Sequence, residues 1–141
     1  MKINLIFFLS RFGIGGAGNS IFRLCKGLPK KKYNISIICL KNCPFDKEFK
    51  KIGIKVYKIK SNKTFFAMSK VLNITKFLIS KKYKKNIFIS NIHYTNVLSL
   101  IFLRNLNNLK IVLVERTPLM ELSIYFGFID FIKKNIIKSL I

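Results

Sequence analysis

The sequence predicts an α/β domain, a doubly wound parallel sheet of about five strands in the order 3-2-1-4-5. Three observations predict it. Short apolar runs without polar alternation recur along the chain, as in strands covered on both faces. Between them lie stretches whose apolar residues repeat at helical spacing, so strand and helix alternate. A glycine-dense loop, Ser10 to Ser20, follows the first run and leads into the first helical pattern. That order offers bare backbone N–H groups and a helix N-terminus to an anion.

Ile3 to Leu9 is the first run and reads as a buried strand. No small-residue cleavage site follows it, so it does not read as a secretory signal. In the loop, Gly13, Gly15, Gly16 and Gly18 tolerate unusual backbone angles and keep Cβ atoms away from a ligand. Asn19 or Ser20 is expected to N-cap the next helix, with Ile21, Leu24, Cys25 and Leu28 facing inward and an end near Gly27 and Pro29. Asn34 to Leu40 is the second buried strand. After Pro44, a short helix places Phe45, Phe49 and Ile52 on one side and ends at Gly53. Ile54 to Ile59 alternates, which predicts an edge strand with one wet face.

Thr64 is expected to cap a long helix running to about Lys82, with Phe65, Met68, Leu72, Thr75 and Ile79 as its inward stripe, widened by Val71 and Leu78. Its methionine and phenylalanines read as core. Ile87 to Ile89 is a fourth strand. His93 to Leu106 is a helix with Val97, Leu98, Ile101 and Phe102 inward, and Lys110 to Val114 is a fifth strand. Pro118 breaks the chain after Glu115-Arg116-Thr117, and apolar residues from Leu122 to Ile136 mark a last helical segment.

With 141 residues, the chain suffices for a single domain, residues 1–141, with a real core. Half its residues are hydrophobic and the mean hydropathy is +0.30, which excludes a disordered chain. The formal charge of +22, from 27 basic and 5 acidic residues, raises nucleic acid and anionic membranes as partners. Lysine, asparagine, isoleucine and phenylalanine are abundant together, as in proteins of genomes rich in A and T. We assign most of the excess charge to that bias, with attraction to an anionic membrane surface as a secondary use. No strand carries a basic and aromatic signature, so no nucleic-acid partner is expected. Cys25, Cys39, Cys43 and the single His93 lack zinc spacing, and there is no Asp-x-Asp cluster, so neither metal nor cofactor is expected. Cysteines in apolar runs suit a reducing cytoplasm, and the expected location is cytoplasmic, including the inner membrane face. No apolar stretch reaches the ~18 residues of a spanning helix.

In this strand order the first and fourth strands flank the switch point of the sheet. The glycine loop, Ser90 to His93 and Glu115 to Thr117 then share one carboxyl edge, where such sheets bind ligands. Gly13-x-Gly15-x-x-Gly18 also matches the dinucleotide fingerprint, and an NAD(P)-dependent oxidoreductase domain is the alternative reading. Two details count against it. Ser10, Arg11 and Phe12 separate the strand from the first glycine, and the second strand runs into Lys41 and Asn42 with no acidic residue to hold ribose hydroxyls.

The opening strand, the Gly15-Gly16 loop and its helix, Gly53-Ile54-Lys55-Val56, Ser90-Asn91-Ile92-His93 and Val114-Glu115-Arg116-Thr117 occur in a telling order. Together they resemble the amino-terminal lobe of the family-4 glycosyltransferases, which have the two-lobed GT-B architecture. The resemblance implies transfer of a sugar from a nucleotide-sugar to a glycan or lipid-linked acceptor, with retention of configuration, in cell-surface polysaccharide synthesis. It implies diphosphate contacts from Gly15 and Gly16, a charge-assisted one from Arg11, and substrate contacts from Asn19 and Arg116. His93 and Glu115 would be the catalytic groups in the cleft. The family's carboxyl lobe, with glutamates seven residues apart, has no counterpart here, nor does the cleft histidine that many relatives carry after the fifth strand. The expectation is an incomplete amino lobe, inactive alone. It should also be prone to aggregate through an exposed Ile111 to Val114 edge.

Overall fold

The computed structural model describes residues 1–10, 16–41, 43–80 and 82–115. Strand and helix alternate as β1 (Ile3–Leu9), α1 (Gly16–Gly27), β2 (Tyr33–Leu40), α2 (Asp46–Lys51), β3 (Lys55–Ile59), α3 (Thr64–Leu78), β4 (Lys85–Asn91), α4 (His93–Leu103) and β5 (Leu109–Val114). The five strands form one parallel sheet in the order β3-β2-β1-β4-β5. This is the doubly wound, Rossmann-like topology expected from the pattern of runs.

Because side chains alternate across a strand, each strand feeds two layers. Leu5, Phe7 and Leu9 of β1 pack with Ile35, Ile37 and Cys39 of β2 under Ile21 and Cys25 of α1 and Phe49 of α2. Ile6 and Phe8 of β1, Ile38 and Leu40 of β2 and Phe88 of β4 meet Ala67, Met68 and Val71 of α3 and Leu98 and Leu103 of α4. The central strands therefore have no polar face to alternate with, which is why they read as continuous apolar runs. Among the described residues, β5 pairs with β4 alone, and Val112 and Leu113 are exposed on it.

The short α2 ends in a Schellman turn. Gly53 has φ +75° and donates its N–H to the Lys50 carbonyl, while Ile54 donates to the Phe49 carbonyl. Phe49 and Ile54 are both buried in the α1/α2 layer, the apolar contact this turn usually carries. A side chain at Gly53 would be strained by that backbone angle.

Several expectations need correction. The α1 helix starts at Gly16, so Asn19 and Ser20 lie inside its first turns and do not cap it; Ser20 Oγ donates back to the Gly16 carbonyl at 2.7 Å. Leu24 points outward, half exposed, and Phe22 takes its place by stacking on Phe45 and edging against Phe49. Edge strand β3 has no single wet face. Val56 packs into the α1/α2 layer and Tyr57 and Ile59 into the α3/α4 layer, and the solvated residues are Lys55 and Lys58 on opposite sides.

Thr64 is the first residue of α3 and Lys63 precedes it as cap without a side-chain bond; the helix ends at Leu78 because Ile79 is extended. Phe65, expected inside, is exposed, and Ala67 fills the inward position instead. The α4 helix stops at Leu103, short of Leu106, and Ile101 faces out. Thr95, Asn96 and Ser99 are buried beside Leu98 on its inner side. The expected last helical segment, beyond Thr117, lies outside the described residues.

Candidate functional site

Parallel strands leave all their carboxyl ends on one side, and the connections there are those expected to carry ligand groups. At the centre, β1 ends beside β2 and β4, with Leu9 in register with Cys39 and Phe8 with Ser90. The chain then enters α1 at Gly16, where an added Cβ would meet no atom of the described residues within 4 Å, its chain neighbours and its own helix backbone aside. An uncrowded glycine at the start of a helix leaves its main chain open to approach by another group. Of the other residues expected here, Arg11, Gly13, Gly15 and Arg116 lie outside the described residues. Asn19 stands in the first turn of α1.

The β4–α4 junction is built unusually. Ile92 has φ +78° and ψ +135°, a backbone conformation that a β-branched residue rarely adopts. Its N–H donates to the Val114 carbonyl at 3.2 Å, and its own carbonyl accepts from the Asn96 N–H at 3.0 Å. Asn96 Nδ2 also donates to the Val114 carbonyl at 3.2 Å. The Thr95 hydroxyl bonds to the carbonyls of Asn91 and Ile92, and the Ser99 hydroxyl to the Thr95 carbonyl and Ser90 Oγ. Polar side chains thus lock the first turn of α4 to the ends of β4 and β5. A strained angle persists only where surrounding contacts over-determine it, and such strain concentrates at functional sites.

This lock has one chemical result. His93, the first residue of α4, sits against Glu115, the first residue past β5, with Nδ1 2.8 Å from Oε2. The histidine side chain is the more buried partner, at 16 % exposure against 33 % for the glutamate. Paired with a carboxylate oxygen, His93 donates through Nδ1–H, which fixes the ring and turns Nε2 to the other side. Sequence spacing separates these residues widely, and only the pairing of β4 with β5 brings them together.

Two buried side-chain oxygens have no hydrogen-bond partner among the described residues, Asn96 Oδ1 and Asp46 Oδ1. Both belong to helices entered from the carboxyl edge. Asp46 Oδ2 is held by Lys58 at 2.8 Å and Lys50 at 3.3 Å, and the Lys58 bond, with a smaller contribution from Lys50, holds the carboxyl below its ordinary range.

The cysteines behave as small core residues. All three are free and buried, and desolvation pushes the Cys25 thiol up to about 12. Cys39 and Cys43 hydrogen-bond to one another, which raises Cys39 and lowers Cys43. Among the described residues no group of three or more His, Cys, Asp or Glu could hold a metal ion, and no helix is long and apolar enough to cross a membrane.

Sequence reasoning missed the polar inner side of α4, including Asn96. The signal was present as Thr95, Asn96 and Ser99 spaced on one helical face, but apolar periodicity draws attention to Val97 and Ile101 instead. No protein-family model matches the chain, and no curated protein matches it significantly. The fold is of the Rossmann-like kind shared by many nucleotide-binding architectures and is compatible with transferase or oxidoreductase chemistry.

Proposed function

We propose that this chain is the acceptor-side lobe of a GT-B glycosyltransferase, which moves a sugar from a nucleotide-sugar to a glycan or lipid-linked acceptor of the cell surface. The observation that carries the reading is the meeting of His93 and Glu115 at 2.8 Å on the same sheet edge from which α1 starts at Gly16. In such a transfer the leaving group is a nucleoside diphosphate, and stabilising its growing negative charge is the main electrostatic task. The Gly16 amide, with Gly15 and Arg11 before it, would meet the diphosphate; Asn19 and Arg116 would contact substrate.

His93 is the catalytic group of this proposal, with Nε2 held toward an acceptor or sugar hydroxyl. Glu115 acts through it as a positioning residue by fixing the ring. In this proposal a second lobe would supply the donor site. The reaction would take place at the cytoplasmic membrane face, where lipid-linked acceptors are presented.

Calorimetric titration with uridine diphosphate, NAD and NADP tests this reading. It predicts weak diphosphate binding, with the dinucleotides no tighter than uridine diphosphate. Gly16→Val, at a position where a Cβ meets open space, should weaken diphosphate binding several-fold. Dinucleotide binding at least about a hundred-fold tighter, a difference of about 2.7 kcal/mol, would replace the proposal with the oxidoreductase reading.

A further inference from the structure

The outward side of α3 carries large apolar side chains that the fold does not use. Phe66 and Phe77 are 69 % and 78 % exposed, and Phe65 is 52 % exposed. Phe66 and Phe77 are three helical turns apart, so they project in nearly the same direction about 16 Å from one another. Phe65 forms edge-on contacts with Phe66 and with Phe102 of α4, and Ile101 of α4 is also half exposed. Scattered exposed apolar residues are ordinary, but a Phe65, Phe66 and Phe102 cluster across two helices of one layer, with Phe77 further along the same side of α3, is not.

The charges around the ridge have one sign. Lys63, Lys70 and Lys76 are exposed on or beside α3, with Lys63 Nζ 5.9 Å from the Phe66 ring centre. Neither α3 nor α4 contains an acidic residue, whereas Asp46 and Glu48 lie on α2 in the opposite layer. We infer that this face seats on an anionic lipid bilayer, α3 lying in the interface with Phe66 and Phe77 among the acyl chains and its lysines at the headgroups.

Phenylalanine rings gain by leaving water, and lysine stems reach along apolar surface to keep their charges at the phosphate level. A second copy of this face would bring like charges together. Single-stranded nucleic acid would need aromatic rings spaced for successive bases along a groove, and a convex ridge with rings about 16 Å apart does not provide that. The inference does not rest on the sugar-transfer reading.

The chain contains no tryptophan, so single reporters are available. Phe66→Trp, Phe77→Trp and Leu24→Trp would each be mixed with vesicles of phosphatidylcholine alone and with added phosphatidylglycerol. Leu24 is half exposed on α1 in the opposite layer. Blue-shifted emission from the first two with anionic vesicles, and none from the third, is expected. Replacing Lys63, Lys70 and Lys76 by Glu should weaken vesicle affinity at least about ten-fold, since each lysine near an anionic surface contributes about 1 kcal/mol. The same charge change at Lys30, Lys31 and Lys32 should weaken it less than about three-fold. The inference is overturned if no reporter shifts, if Leu24→Trp shifts as much as the α3 reporters, or if the two lysine sets lose equally. Reporters that respond to single-stranded RNA and not to vesicles would also overturn it.

Discussion

The two ends of the sheet treat polar groups in opposite ways. At the amino end, Asn4 of β1, Asn34 of β2 and Asn86 of β4 stand side by side in register. Asn34 Nδ2 donates to Asn4 Oδ1 at 2.8 Å, and Asn4 Nδ2 donates to Asn86 Oδ1 at 2.9 Å and to the Leu78 carbonyl at 3.0 Å. Asn86 Nδ2 donates to the Ser80 carbonyl at 3.1 Å, and its Oδ1 accepts from the Ser80 N–H at 3.3 Å. Asn4 and Asn86, both buried, have every amide oxygen and nitrogen engaged, and the row ties the exit of α3 to three strands.

At the carboxyl end the polar groups are also numerous, but Asn96 Oδ1 and Asp46 Oδ1 are buried without partners among the described residues, and Ile92 is held at φ +78°. A satisfied polar row stabilises and specifies a fold. Unpaired groups and a strained turn cost stability, and a protein keeps them where something other than stability is selected. Under the proposed function, structure falls to one end and ligand chemistry to the other.

The largest effect should come from breaking the satisfied end. Asn4→Leu keeps the branched shape but adds volume, leaves Asn34 Nδ2 and the Leu78 carbonyl without their Asn4 partner and Asn86 Oδ1 with the Ser80 N–H alone, and should lower unfolding free energy in urea by about 3 kcal/mol. Uridine diphosphate binding by the folded fraction should be unchanged. A loss below about 1 kcal/mol would mean the row is not the fastening described here.

A smaller effect on stability is expected at the other end. Ile92→Gly removes the side chain that makes φ +78° unfavourable, from a position already partly exposed. Strain of about 1–3 kcal/mol is relieved against about 0.5–1 kcal/mol of added chain entropy in the unfolded state and about 1–2 kcal/mol of lost side-chain burial, so stability should stay within about 1 kcal/mol of the parent's. If the junction is strained for function, the same variant should bind diphosphate more weakly. A loss as large as that of Asn4→Leu, about 3 kcal/mol, together with unchanged binding would remove the contrast.

Much of the frame was legible in the sequence, for a physical reason. Ile3–Leu9 and Tyr33–Leu40 are buried on both faces, so their apolar runs mark strands without reference to anything distant. The Schellman turn was legible at Gly53 because only local chain geometry decides it. The asparagine row was not. Each of Asn4, Asn34 and Asn86 reads alone as a polar interruption at the start of a run, and only register makes them neighbours; the repeated Asn-Leu or Asn-Ile opening was the available signal. The α1 start was misplaced because Gly16 and Gly18 are poor helix formers, while Asn19 and Ser20 are good caps. Phe65, Phe66 and Phe77 were read as core since hydropathy cannot tell a ring that faces the sheet from one that faces out.

Among the site residues, His93 and Glu115 were each foreseen on the carboxyl edge, but their mutual contact depends on the pairing of β4 with β5.

Amide chemical-shift mapping of the whole chain with uridine diphosphate tests the division of labour most directly. Shifts should centre on Gly16 to Gly18 and on Ile92 to Thr95, while the side-chain amides of Asn4, Asn34 and Asn86 stay where they are. Shifts centred on that asparagine row, or none at Gly16 and His93, would contradict it.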